Sequence, residues 1–438
     1  MDILYERCGG IDVHKKIIVV SFRCGRKETT RSFGSTSEEI RKMVKWLQEE
    51  KCEIVAMEST GSYWKPLFNI FEVSNIEVMV VNARHCKNVP GRKTDTNDAQ
   101  WIAELLQHGL LKKSFIPSRE QRDLRDLSRY RISLVEERAR EINRLQKMLE
   151  GGNIKLASVV SNINGKSSRN LLKRALASDE LLTEEEILEN IQPNMYHKSE
   201  LILKALDGFL TPIQKQLILR ILAHIDDMTK RIEEMDSLIK SFMSDYEEAI
   251  QRIDAIPGIA RRSAETILIE IGLDMSYFPS GKCLARWSGL APGNDETAKK
   301  QRNGKTTKGN KTLKTTLVQC AKVARKKSGS LLKAQYQRLA PRRGSNRATV
   351  AVAHSMIIAI YNMLKNNEPY RDLGEGYYNN FNREQKINRY LKKLKQLGWE
   401  PEWMCANCGY TVESVEAPQE CPVCGHPRSF FAIKAENY

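Results

Sequence analysis

Four acidic residues carry the chemistry most readily inferred from this chain. Asp12 lies in GGIDVHKK, directly before the apolar run IIVV, and Glu58 closes the apolar run EIVAME. Asp95 and Asp98 stand three apart in KTDTNDAQ, at the start of an expected helix. Residues at i and i+3 share a helix face, so the last two can converge. Carboxylates brought together repel unless a cation neutralises them. An oxygen-only donor set suits Mg²⁺ or Mn²⁺, and two such ions can clamp the attacking and leaving oxygens of a phosphodiester. Singly, each acid is an ordinary helix cap or solvated charge. Their joint placement in one βαβ-like segment points to metal-dependent phosphodiester chemistry.

A second ligand set lies at the other end. Cys405 and Cys408 form one CxxC, Cys421 and Cys424 another, with twelve residues between them. This spacing suits a structural zinc ribbon, whereas a redox pair needs only one CxxC. A segment of ~40 residues has too little core to fold unaided, and a structural ion can contribute ~10–16 kcal/mol. His426 is read as a surface residue. The remaining cysteines (Cys8, Cys24, Cys52, Cys86, Cys283, Cys320) are scattered singly and read as reduced packing residues. No secreted disulfide framework is implied, and the expected setting is cytoplasmic.

The elements that must position these groups are legible in outline. A chain of 438 residues suggests two to four domains. From residue 7 to about 110, the runs IIVVSF, EIVAM and EVMVV read as strands and SEEIRKMVKWLQEE as an amphipathic helix, giving an α/β segment. A long charged helix is expected over 118–150, with Leu134, Ile142, Leu145 and Leu149 on one side, followed by a Gly, Asn and Ser-rich break over 151–170. A second long helix is expected over 212–248. Ile221, Ile225, Met228, Ile232, Met235, Ile239, Phe242 and Tyr246 alternate four and three apart there, a coiled-coil seam. The two long helices are expected to pack together, with a contact between chains as a further role. AIPGIARRSAETILIEIG reads either as a helix–hairpin–helix holding a phosphate at its second helix or as a plain helical turn. The net charge is +16, and Thr297–Asn367 contains 17 Lys or Arg and no Asp or Glu, which points to a polyanionic partner. No signal peptide is read, and no apolar stretch is read as approaching the ~20 residues of a membrane span, so no membrane is expected.

Together, GIDVHKK, MESTG and KTDTNDAQ in the first block, with IPGI, FPS, WSGLAPGN, GKTTKGNKTL, AQYQRLAPRRGSNRATVAVAHS and PYRDLG in the second, give the chain a family likeness. In order and spacing it resembles the DEDD transposases of bridge-RNA-encoding insertion sequences, the family that includes the Piv DNA invertase. The likeness covers about 1–110 and 250–378. It implies an RuvC-like, RNase H-type N-terminal domain with Asp12, Glu58, Asp95 and Asp98 as its metal-binding quartet, and a mainly helical second domain with a hydroxyl nucleophile. The family's serine sits in a setting like GNNESAGKR; here GNDETAKKQ puts Thr297 at that position, an alcohol of a known nucleophile class. Ser280 and Ser288 match helix-start and packing positions instead. Lys299, Lys300, Arg302, Lys305, Lys308 and Lys311 are then placed to neutralise phosphates.

The expected organisation is an RuvC-like domain over 1–112, a helical coiled-coil region over 113–248, a transposase domain over 249–378, a linker helix over 379–398 and a zinc ribbon over 399–438. The implied function is RNA-guided cleavage and rejoining of DNA to mobilise an insertion sequence. Its partners are DNA, a non-coding guide RNA and further copies of the chain in a dimer or tetramer, beside a prokaryotic nucleoid. Two other readings stay open: a metal-only junction-resolving nuclease, and a catalytically impaired nucleic-acid-binding relative.

Overall fold

The computed structural model describes residues 2–59, 61–82, 98–177, 180–293, 295–297, 300–303, 306–380, 387, 389–390, 392–393, 396, 402–414 and 416–434; of 295–297, 300–303, 379–380 and 433 it describes the backbone alone. The chain divides into two compact units, Met1–Asp245 with Ile269–Gly272, and Tyr246–Leu268 with Leu273–Tyr438.

In the first unit, β1 (Arg7–Val13), β2 (Ile17–Cys24), β3 (Lys27–Gly34), β4 (Ile54–Glu58) and β5 (Glu77–Val81) form one sheet of described strands in the order β3-β2-β1-β4-β5. β1, β2 and β3 pair antiparallel, whereas β4 joins β1, and β5 joins β4, in parallel. Helices cover both faces. On one, α1 (Ser37–Glu49), capped by Thr36, and α2 (Trp64–Phe71) bury Met43, Leu47, Leu67 and Phe71 with Ile11, Ile18 and Val20. On the other, α3 (Asp98–Gln107) packs Trp101, Ile102, Leu105 and Leu106 against Cys8, Ile54 and Ala56.

Two glycines in β1 show how closely the layers meet. A Cβ on Gly10 would lie 2.2 Å from the Ala99 carbonyl oxygen and 2.3 Å from the Ala103 nitrogen, so α3 rests directly on the strand backbone. On the opposite face, a Cβ on Gly9 would meet side-chain ends, the nearest being Val55 Cγ1 at 3.1 Å.

The long helices follow as α4 (Arg119–Gly151), capped by Ser118, and α5 (Pro212–Phe242), opened by a Thr211–Gln214 capping box. Leu145 and Leu149 share one core with Ile218, Ile221, Ile225 and Met228. The second helix ends at Phe242 rather than 248. Ser244 donates to its neighbour Asp245 (3.3 Å) in a 3₁₀ turn at Ser244–Tyr246, and a new helix, α6 (Glu247–Asp254), begins. Phe242 is exposed, so the seam stops short of it. The expected break over 151–170 does end the long helix at Gly151, and it carries short helical turns of its own. Short helices at Leu156–Val159, Lys166–Ala177, Glu184–Asn190 and Ser199–Leu206 bury Leu171, Leu172, Ile187 and Ile202 in the same core.

α7 (Arg261–Ile271) follows the Pro-Gly turn, and in the second unit α8 (Gly281–Trp287), α9 (Lys311–Ala324) and α10 (Leu331–Arg343) surround α11 (Ser345–Asn366). This last helix corrects the reading that no stretch approaches a membrane span. Its length and apolar composition suffice for a span, and half of its most apolar stretch is buried. Val352, Ala353, Met356, Ile357 and Ile360 are fully enclosed, which makes it the core helix of its unit. A hairpin of β6 (Asp295–Thr297) and β7 (Lys300–Asn303) precedes α9. At the end of the chain, β8 (Glu402–Cys405), β9 (Thr411–Glu413) and β10 (Phe431–Ile433) form a small sheet of described strands in the order β10-β8-β9. The linker helix expected over 379–398 falls mostly outside the described residues.

Candidate active site and metal centre

Strand register brings two of the acids together. β1 and β4 run parallel with Ile11 opposite Met57, so the next residues, Asp12 and Glu58, lie side by side at the carboxyl ends of neighbouring strands. Alternation along each strand puts Asp12 on the same face as Cys8 and Gly10, and Glu58 with Ile54 and Ala56, the face that α3 covers. Asp98 opens that helix, next to the Ala99 carbonyl that touches Gly10. Three elements thus deliver Asp12, Glu58 and Asp98 to one end of one sheet face; Asp95 lies outside the described residues. The side chain of Asp12 is 21% exposed, open to an ion or a phosphate. Among the described residues these acids do not form a ligand group as tight as the cysteines below. An oxygen-only set on a shared rim still fits a hard divalent cation in donor type.

His14 is a residue that sequence reasoning passed over. Its Nε2 lies 3.0 Å from Asp12 Oδ2. The signal was its place two residues after the acid in GIDVHKK.

The candidate nucleophile sits on a held hairpin. Thr297 is the last residue of β6 and pairs with Lys300 across the turn. Beyond it, Pro292 bridges Thr306, the Thr307 N–H donates to the Ala291 carbonyl (3.0 Å), and the Asn310 N–H donates to the Trp287 carbonyl (3.0 Å). Gly309 is needed in this stem, since a Cβ there would lie 2.3 Å from the Trp287 oxygen. WSGLAPGN and GKTTKGNKTL are therefore the two sides of one backbone-paired stem. Lys299 and Lys305 lie outside the described residues, Lys300 and Arg302 are described by their backbone, and Lys308 and Lys311 are exposed. The two nearby serines are engaged otherwise. Ser280 caps α8, accepting from the Cys283 N–H (3.3 Å), and Ser288 is fully buried with its hydroxyl donating to the Ala285 carbonyl (2.8 Å).

The four C-terminal thiols converge. The ligand atoms of Cys405, Cys408, Cys421 and Cys424 all lie within 4.8 Å of one another. Each CxxC forms a turn: the Gly409 N–H donates to Cys405 and the Gly425 N–H to Cys421, both through backbone carbonyls. Against the cost of burial, the His426 N–H, the Asn407 amide and the neighbouring thiols draw Cys424 down to about 6. Such a four-thiol set suits a zinc or iron ion in donor type. Two of the ligands, Cys405 and Cys421, are buried with Ala417 and Phe431, and Trp403, Tyr410 and Val412 pack partly buried against them. Among the scattered cysteines, Cys8, Cys24, Cys52, Cys283 and Cys320 are free thiols, and burial pushes Cys8 and Cys52 up to about 12. Cys86 lies outside the described residues.

A transposase model of the IS110 DEDD type matches residues 9–154, and one described as the IS116/IS110/IS902 transposase family matches 250–337. The first spans the acidic rim and the second the hairpin. The chain belongs to the IS110-type transposase family. The transposase for insertion sequence element IS1111A of Coxiella burnetii is 24% identical over 83% of this chain and 90% of its own length. A probable family 20 transposase of Pseudomonas aeruginosa is 25% identical over 73% and 86%. The tail of this IS110-type transposase is similar to a different family: a rubrerythrin, rubredoxin-like domain model matches 403–432. Rubrerythrin-1 of Clostridium acetobutylicum is 50% identical to it, over only 13% of this chain and 31% of that protein. The likeness is to a small part of each protein and does not reach the transposase matches.

Proposed function

We propose that this transposase cuts and rejoins DNA strands to mobilise an insertion sequence, guided by a non-coding RNA of the same element. The observation that carries the reading is the pairing of two chemistries on one chain: an acidic rim inside one transposase match, and a hydroxyl on a braced hairpin inside the other. The strand order β3-β2-β1-β4-β5, three antiparallel strands followed by two parallel ones, supports an RNase H-type, RuvC-like domain. Asp12, Glu58, Asp95 and Asp98 would hold Mg²⁺ or Mn²⁺. When bound, a divalent ion there would supply Lewis-acid chemistry, polarising the scissile phosphate and lowering the pKa of the attacking hydroxyl. Thr297 Oγ attacks phosphorus as its proton leaves, the bond to the leaving strand oxygen breaks, and that oxygen departs as a free hydroxyl. The phosphothreonine ester keeps the bond for rejoining when a strand hydroxyl attacks in reverse. Lys299, Lys300, Arg302, Lys305, Lys308 and Lys311 neutralise the phosphates beside it. Ser280 and Ser288 are engaged in a cap and a buried bond, which favours Thr297 among the alcohols. Several copies acting together near the nucleoid would hold donor and target.

A suicide DNA substrate tests this reading. A covalent adduct is expected on Thr297, lost in Thr297→Ala and kept or raised in Thr297→Ser, whose alcohol is less hindered at χ1. Normal cleavage by Thr297→Ala with no adduct would establish the metal-only nuclease instead. An adduct mapped to Ser280 or Ser288 would move the nucleophile.

The four-cysteine site is assigned one structural zinc. The rubredoxin-like match favours iron as a second reading. Metal analysis of reduced protein is expected to find about one ion per chain; colourless protein indicates zinc, and visible thiolate-to-iron absorption indicates iron. Chelation is expected to unfold roughly 400–438 and to spare strand chemistry, which a chain ending near residue 398 should retain. Protein with no bound ion and a folded tail would rule the site out.

A further inference from the structure

α9 presents a single polar face whose composition fits one kind of partner. Its buried side is fixed by Leu313, Leu317, Cys320, Ala321 and Ala324. It is also fixed by backbone contact with the Pro-Gly turn: Gly258 has φ 86°, and a Cβ there would lie 2.5 Å from the Cys320 oxygen and 2.6 Å from the Ala324 nitrogen. The helix therefore has little freedom to roll. Lys311, Thr315, Gln319 and Lys322 are all exposed and fall at i, i+4, i+8 and i+11, with Lys326 continuing the row in the turn that follows. At about 100° per residue they share an arc of about 80°, nearly opposite the buried side, over about 22 Å. No carboxylate occurs between Thr297 and Asn367 to neutralise them.

We infer that this face of α9 is a docking surface for duplex DNA, lying along a groove with its lysines on phosphates and Thr315 and Gln319 toward the groove. The inference rests on the reading that the chain acts on DNA, and adds Thr315, Gln319, Lys322 and Lys326 to the surface that does so. The chemistry selects the duplex. A major groove about 12 Å wide admits a helix, whereas the deep, narrow major groove of A-form RNA does not. Single strands are held by stacking on aromatic side chains, and this row has none.

The test measures binding of the full chain to a duplex of about 30 base pairs over a range of salt, with chelator present so that no strand is cut. Lys322→Ala with Lys326→Ala is expected to flatten the slope of log K against log salt by about 1.8, at about 0.9 per phosphate contact. Thermal melting should be unchanged, because both side chains are exposed, and the slope for a structured RNA should be unchanged. A control pair with the same loss of charge, Lys42→Ala with Lys204→Ala, should keep the duplex slope. An unaltered duplex slope, an equal change in the control, or a change for RNA alone overturns the inference. Because no cleavage is read, failure of the proposed strand-transfer chemistry leaves this measurement intact, and the reverse also holds.

Discussion

Asp12→Ala is expected to abolish strand cleavage while DNA binding persists. The carboxylate stands at the carboxyl end of β1, beside Glu58 in the parallel register, on the face covered by the helix that Asp98 opens. Removing it deletes a hard oxygen donor from a rim of like charges. Losing one pre-positioned electrostatic group typically costs 10²–10³-fold in rate, and loss of a metal ligand should cost at least that. On the proposed reading, binding rests on basic residues outside this rim, so affinity should hold. Cleavage of pre-bound DNA, titrated with Mg²⁺ and Mn²⁺, is the measurement. Asp12→Asn keeps the size and loses the charge, and should behave as Asp12→Ala does. His14→Ala should be milder, because that ring touches Asp12 and orients it without replacing it. Undiminished cleavage by Asp12→Ala would remove the acid from the catalytic set.

The second large effect is expected from one methyl group. Gly10→Ala would place a Cβ 2.2 Å from one backbone atom of α3 and 2.3 Å from another. Backbone cannot swing aside as a side-chain tip can. Overpacking a core costs about 1–3 kcal/mol where side chains can shift, and this substitution should reach or pass the upper end. Helix and strand must separate, carrying Asp98 away from Asp12, so cleavage should fall with stability. Gly9→Ala is the internal comparison. Its nearest contact is the Val55 Cγ1 methyl at 3.1 Å, and it should cost far less. Thermal melting of both variants reads the difference directly. Equal, small losses in the two would show that the helix can retreat without harm.

How much of this the sequence disclosed depended on whether residue type or context carried the signal. The placement of Asp12 and Glu58 at strand ends and the convergence of the four thiols were legible because residue identity and spacing carry them. The strands IIVVSF, EIVAM and EVMVV were legible because β-branched runs are. β1 was harder, since Gly9 and Gly10 dilute its apolar pattern; their reason is the contact each makes with the opposite layers, which no local pattern records. β3, KETTRSFG, is a largely exposed strand without an apolar face. The Asn and Gly of NINGK do mark a turn, but Leu171, Leu172, Ile187 and Ile202 show that a helical core resumes at once. α11 is apolar along its length because helices pack around it, a context that composition cannot distinguish from a bilayer. The CxxC pair announced a metal domain but not its rubredoxin likeness, because zinc and iron thiolate sites share that spacing.

The small buried core of the tail has a consequence in mass action. Beside Ala417 and Phe431 it consists of its own ligands, Cys405 and Cys421. Its folding equilibrium is therefore an equilibrium with free ion, shifting by about 1.4 kcal/mol for each tenfold change in concentration. As the ion becomes scarce, the folded fraction of the tail falls on its own titration curve. An unfolded tail of this kind is open to proteases. The lifetime of the intact chain is then expected to follow the availability of the metal.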